Sequence, residues 1–339
     1  MHYSWNDEDK QEDLLKQIKL NQESINKTNF PVYYQDDLVP VYNCDKLDLN
    51  NVFLSKDIYD NFFMNSGAII VKNVYKNEFM EDYNSWCENM LEFSKNDGNS
   101  IHPKQKDKFL INDVIGRMSL NNPDLLINLL GNKYFSFFID VLLGFAKIGS
   151  CTTHWINPGG DRQKSHVDYP NHVGSGAFWE NSVDKLKSVT TNYQLNKILP
   201  FYSVQVLVAS DKMDKSNGST EMIPGSHKID NLDILLHDKE KYDSIENLFV
   251  NAKLEKGDIL IFNRRLCHRG GKNLSNRRRN SLIMQCVWLW GVGQEIIDSS
   301  NVIDRLEKSN KIKELSDKQK NDLFLRLYPP YPIDVKNKT

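Results

Sequence analysis

Residues 165 to 172 read SHVDYPNH and set His166 and Asp168 two positions apart. On an extended segment residues i and i+2 face the same way, so this imidazole and carboxylate can converge on one divalent ion. Taken alone, the triplet fits a polar surface turn equally well. Much further along, the apolar run GDILIFN leads into RRLCHRGGKN, which places His268 after a buried strand and before Gly270 and Gly271. Two histidines and one carboxylate make a facial triad, which leaves three positions of Fe(II) open to reactants. Arg279 closes the run NRRR at the start of the next strand. A guanidinium there can grip a carboxylate through two parallel hydrogen bonds, and Ser281 on the same strand face adds a donor. Alternation selects Arg279 to point inward and leaves Arg277 and Arg278 solvated. Gln163 fits either the wall of a cofactor pocket or a strand edge. His227 is expected to serve its own turn, and His154 and His172 to support the site or the core. Trp155, Trp288 and Trp290 read as core.

The elements that must position these groups change in texture along the chain. Helical periodicity runs through 7–25, 76–94 and 122–145, interrupted by GAIIVKNV, a buried strand at 67–74. From about 147 to 293 short apolar strands alternate with Gly, Pro, Asn and Ser, the pattern of a sandwich or jelly roll. A last helix is expected over 301–328. The reading is therefore mainly β with flanking helices: a mostly helical region at 1–145, a β core at 146–295 and a helical extension at 296–339, forming one decorated domain.

Composition narrows the function. The 339 residues carry 43 Lys+Arg against 45 Asp+Glu, a net charge of -2, which argues against nucleic acid or an anionic membrane as partner. Neither a secretory leader nor an apolar run of membrane-spanning length is visible. Five cysteines without a C-x-x-C pair suit reduced thiols. A cytoplasmic location is expected, and the C-terminal Asn-Lys-Thr is not a peroxisomal address.

His166-Val-Asp168, then NGSTEMIPGSHK at 217–228, then His268 with Arg279 beyond it, resemble the phytanoyl-CoA dioxygenase family of Fe(II)- and 2-oxoglutarate-dependent oxygenases. GAIIVKNV resembles that family's N-terminal strand, and the resemblance extends over about 60–295. It implies a double-stranded β-helix (a cupin-like jelly roll) with iron at its mouth, held by His166, Asp168 and His268. It further implies 2-oxoglutarate chelating the iron with its far carboxylate on Arg279, and O2 as the remaining reactant. Succinate and CO2 would accompany hydroxylation, desaturation or ring closure at an unactivated C–H bond. Asp168 argues against halogenation, because halogenating relatives lack the carboxylate ligand.

Two features bear on the substrate. The stretch 169–200, with Phe178, Trp179 and Tyr193, reads as a lid, and Trp179 is a candidate substrate wall. Arg162, Lys164, Arg264, Arg265 and Arg269 bracket the metal segments; they are either ordinary surface charges or the grip for a small anionic or amino-acid-derived metabolite. An acyl-CoA hydroxylase of the phytanoyl-CoA type is an alternative, as is a non-catalytic cupin-like metal-binding or sensor protein. A purely structural metal has no use for Arg279. Oligomeric state is left open.

Overall fold

The computed structural model describes residues 8–28, 30–95, 108–168, 203–229, 245–289, 297 and 299–327. Its strands are β1 (Tyr33–Gln35), β2 (Val39–Asn43), β3 (Ala68–Lys72), β4 (Lys108–Ile111), β5 (Ala146–Ile156), β6 (Ser203–Ala209), β7 (Thr220–Met222), β8 (Val250–Asn251), β9 (Ile259–Asn263), β10 (His268–Gly270) and β11 (Arg279–Trp288). They form an eight-stranded sheet, ordered β1-β2-β3-β9-β6-β11-β5-β4, and a three-stranded sheet, ordered β10-β7-β8. Only the β2/β3 pairing is parallel among the named strands.

The central strands β6, β9 and β11 are buried along nearly their whole length, as strands covered on both sides must be. Val204, Val206 and Val208 of β6, Ile259 and Ile261 of β9, and Leu282 and Met284 of β11 face a helical layer. Their neighbours Leu207, Leu260 and Phe262 turn the other way, onto Met222 and Val250 of the small sheet. Each fully buried side chain of this size contributes about 1.5–3 kcal/mol relative to exposure. The helical layer comprises α2 (Val52–Tyr59), α3 (Asn77–Lys95), α4 (Val114–Asn121), α5 (Pro123–Leu130), α6 (Lys133–Leu143), α7 (Ser299–Glu307) and α8 (Asp317–Arg326). α1 (Glu8–Glu23) packs elsewhere: Leu14, Leu15 and Ile18 join Ile223, Ile229 and Cys267 behind the small sheet.

Several boundaries differ from those expected. The single helix read over 122–145 is two helices bent by 50°, because Asn132 caps a new start by accepting from the Tyr134 and Phe135 amides. The run 301–328 breaks into α7, a 3-10 turn at Lys311–Glu314 and α8, whose Ser316 and Gln319 form a capping box. The first 145 residues also supply β1, β2, β3 and β4 to the large sheet, so the boundary at 145 falls within a continuous sheet. All five cysteines are buried free thiols, and no single described helix is long and apolar enough to cross a membrane.

Candidate metal centre

His166 lies outside the regular strands but forms an antiparallel bridge with His268. Each residue's amide donates to the other's carbonyl at 3.0 Å, so the backbone holds two imidazoles from distant sequence side by side, ring centroids 4.4 Å apart. A further backbone bond, from the Asp168 amide to the Arg264 carbonyl at 2.8 Å, brings the carboxylate to the same place. Asp168 then sits 3.6 Å from the Nε2 of each histidine. The three ligand atoms lie within 4.8 Å of one another. Ligands about 2.1 Å from one ion sit roughly 3 Å apart at right angles, so a small contraction closes the site.

The protonation pattern suits metal binding. His166 Nδ1 donates to the Lys164 carbonyl, and His268 Nδ1 to the Leu266 carbonyl, both at 2.9 Å. With the proton fixed on Nδ1, the Nε2 lone pairs face the carboxylate. Burial pushes the pKa of His268 down to about 4, which keeps its imidazole neutral, the form a metal binds. Burial alone would raise Asp168, but its electrostatic interactions with His268 and then Arg264 outweigh it and hold the carboxylate below its ordinary range.

Beside the triad lies a cavity of about 510 Å³, and Arg279 lines it. Arg279 is 3% exposed; Nη1 donates to Ser281 Oγ at 2.8 Å and Nη2 to the Gly218 carbonyl at 2.6 Å. Its Nε is buried without a hydrogen-bond partner, and among the described residues no carboxylate pairs with it. Burial pulls its pKa down to about 10, which still leaves a cation at neutral pH. A buried guanidinium with an unused donor fits the carboxylate of an incoming ligand. Arg277 is exposed, while Arg278 pairs with Glu88 at 3.0 Å and stacks on Trp155. Gly218 makes this arrangement possible, since at φ +81° a Cβ would sit 2.8 Å from the Gly271 carbonyl. Gln163 also lines the cavity; its Oε1 accepts from the Gly270 amide at 2.7 Å.

The basic residues expected around the mouth do not act as a set. Arg269 and Arg162 share Glu221 and Glu246: Arg162 reaches Glu246 at 2.8 Å and Glu221 at 3.3 Å, and Arg269 binds both and stacks on Phe249. Because Glu221 is itself buried, these charges are committed to neutralising it. Arg264 is buried in the cavity wall 3.8 Å from Asp168. Lys164 is exposed, and Arg265 is outside the cavity lining. Phe178, Trp179, Tyr193, His172 and Trp290 lie outside the described residues. His227 stays away from the triad, its Nε2 donating to the Phe63 carbonyl at 3.0 Å.

Of a polar inner face, sequence reasoning singled out His154 alone. Ser150, Thr152 and His154 on β5, together with Gln205 on β6, line the cavity. The signal was the alternation in SCTTH: polar Ser150, Thr152 and His154 at every second position of a largely buried strand mark a face turned to a cavity rather than to core.

The phytanoyl-CoA dioxygenase (PhyH) family profile matches residues 63–281. Among curated proteins, the iron/alpha-ketoglutarate-dependent dioxygenase ausO of Aspergillus calidoustus is 33% identical over 75 residues, 22% of this chain and 24% of that protein. Dioxygenase cdmD of Talaromyces verruculosus is 35% identical over 85 residues, 25% and 26% of the two chains. The matches thus span about a quarter of these relatives. Among solved structures, the non-heme alpha ketoglutarate dependent epimerase SnoN from nogalamycin biosynthesis superposes with a TM-score of 0.51 at 13% identity, covering 70% of this chain and 82% of that one. The carbocyclase SnoK from nogalamycin biosynthesis gives 0.50 at 14%, covering 72% and 87%. At such identity these similarities speak to the fold: the double-stranded β-helix of Fe/2-oxoglutarate enzymes.

Proposed function

Since this chain belongs to the phytanoyl-CoA dioxygenase family of Fe(II)/2-oxoglutarate-dependent enzymes, we propose that it oxidises an unactivated C–H bond of a small metabolite. The observation that carries this is one cavity bordered by both a His-Asp-His cluster and a buried arginine with an unused donor. Bound at the triad, Fe(II) with 2-oxoglutarate and O2 supplies C–H oxidation, with succinate and CO2 as co-products. His166, Asp168 and His268 hold the metal. Arg279 takes the far carboxylate of 2-oxoglutarate while Ser281 fixes the guanidinium plane, and Gln163 shapes the loop edge through Gly270. Phe262, Leu207 and Ile283 keep the cavity wall apolar and limit water.

A cavity of about 510 Å³ that must also admit 2-oxoglutarate suits a small metabolite, taken to hydroxylated, desaturated or cyclised product. Of the basic residues proposed for an anionic substrate, Arg264 and Arg269 reach this cavity, and both already stand beside a carboxylate. An anionic or amino-acid-derived substrate would have to compete with Asp168 or Glu221 for them. The decisive test is anaerobic addition of Fe(II) and then 2-oxoglutarate, followed by air. An enzyme gives a weak visible charge-transfer band and then succinate; a metal-binding module gives neither. Mass spectrometry of a metabolite extract treated in the same way, searched for gain of one oxygen or loss of two hydrogens, would then identify the product.

A further inference from the structure

Four residues form one level across the inner face of the large sheet. Ser150 of β5 pairs with Gln285 of β11, Gln285 with Gln205 of β6, and Gln205 with Phe262 of β9. The Phe262 ring lies 4.6 Å from the ring of His268, so this level borders the triad. Arg279 is on the same face of β11 but roughly 20 Å further along the strand, at about 3.4 Å per residue. A cosubstrate as short as 2-oxoglutarate, anchored at Arg279, therefore does not cover the Gln205 level and leaves it open to a second molecule. The next level toward Arg279 is different in character, with Ile283, Leu207 and Leu260 side by side.

Gln205 is 8% exposed, lines the cavity, and its Oε1 is buried with no hydrogen-bond partner. A carboxamide oxygen in that position is a desolvated acceptor waiting for a donor. We infer that Gln205 recognises the organic substrate by accepting a hydrogen bond from it, and that the substrate belongs to the class bearing a hydroxyl or N–H group close to the C–H bond attacked. This rests on the oxygenase reading above and adds the polarity of the substrate to it. Recognition at this level is by an uncharged group, which fits a cavity whose neighbouring arginines face glutamate and aspartate.

The experiment uses the full chain with Fe(II) and 2-oxoglutarate, and as probes a panel of polyhydroxylated terpenoids, polyketides and glycosides, their O-methyl ethers, and simple carboxylates and phosphates. Succinate formed by the wild type without any probe establishes the oxygenase reading separately. Probe-stimulated succinate formation is then compared in wild type, Gln205→Leu and Gln205→Glu. The expected result is that at least one alcohol or N–H compound stimulates turnover about 100-fold better, in kcat/KM, than its O-methylated form. That preference should collapse in Gln205→Leu and return in Gln205→Glu, which keeps an acceptor and so controls for folding. The inference is overturned if no alcohol or N–H compound stimulates, if only carboxylates or phosphates do, or if ethers and alcohols are equivalent. It is also overturned if the substitutions raise the 2-oxoglutarate requirement instead, which would place Gln205 on the cosubstrate. Preservation of the preference in Gln205→Leu would mean that the carboxamide serves only Gln285 across the strand.

Discussion

Replacing Arg279 with alanine removes a guanidinium whose two terminal nitrogens are already held by Ser281 and the Gly218 carbonyl. Those internal contacts disappear with or without 2-oxoglutarate, so under the proposed pocket the change in cosubstrate binding would come from the lost charge-assisted bond to its far carboxylate. Deleting one partner of a buried, hydrogen-bonded charge pair costs about 2–5 kcal/mol. At about 1.4 kcal/mol per tenfold, the 2-oxoglutarate requirement should rise roughly 30- to 4,000-fold. The neighbouring arginines provide an internal scale. Arg278 has a 33% exposed side chain paired with Glu88, and Arg277 is exposed; replacing either should cost about 1 kcal/mol or less, under roughly tenfold. The assay is succinate formation against 2-oxoglutarate concentration at saturating Fe(II), with melting temperature recorded for every variant. Equal shifts at all three positions, or an Arg279→Ala requirement within about threefold of wild type, would refute the pocket and the reasoning behind it.

His166→Ala, Asp168→Ala and His268→Ala should each lose bound Fe(II), measured by elemental analysis, while circular dichroism stays near wild type; a variant that keeps stoichiometric iron and normal succinate formation is not missing a ligand. Arg269→Met should lower stability by about 3–5 kcal/mol, because it strips a buried partner from Glu221, yet leave the 2-oxoglutarate requirement unchanged; urea titration and steady-state kinetics separate the two. The hydrogen bond from Arg269, with the charges of Arg269 and Arg162, outweighs partial burial and holds Glu246 below its ordinary value of 4.5. A depressed carboxyl contributes stability that is fully present above pH 4.5 and is lost as pH falls through the folded-state value, so acid unfolding of Arg269→Met should be less steep over that range. Gly67→Ala should destabilise by about 2 kcal/mol or more, seen as a lower melting temperature, because φ is +79° and a Cβ would lie 2.3 Å from His227 Nδ1; an unchanged melting temperature would contradict the close packing.

What could be read in the sequence was whatever sits in a short linear pattern. His166-Val-Asp168, the glycine pair after His268, and Arg279 with Ser281 on one strand face were all visible, and the fold brings the polar atoms of His166, Asp168 and His268 within 4.8 Å of one another. The long strands were visible too, because β-branched runs such as GDILIFN have no other economical use. The pairing of Arg162 and Arg269 with Glu221 and Glu246 was not, since nothing local announces that charges from four separate segments will meet. Short strands such as β7 and β10 escaped because they owe their existence to each other rather than to propensity. Gln205 was hidden inside FYSVQVLVAS, where one polar residue among apolar ones looks like noise until the register shows which side it faces.

Both histidines of the triad bind a backbone carbonyl two residues upstream, at Lys164 and Leu266. An acceptor supplied by the main chain survives any side-chain substitution at those positions. The orientation and tautomer of each imidazole are therefore written into the path of the chain, not into a neighbouring carboxylate that a single codon change would delete. Side chains around the metal can drift as substrate preference changes, and the two rings will still present Nε2 to the same point. The centre is in that sense robust to its own diversification: the cavity wall can change without disturbing the backbone clamp that orients the two imidazoles proposed as iron ligands.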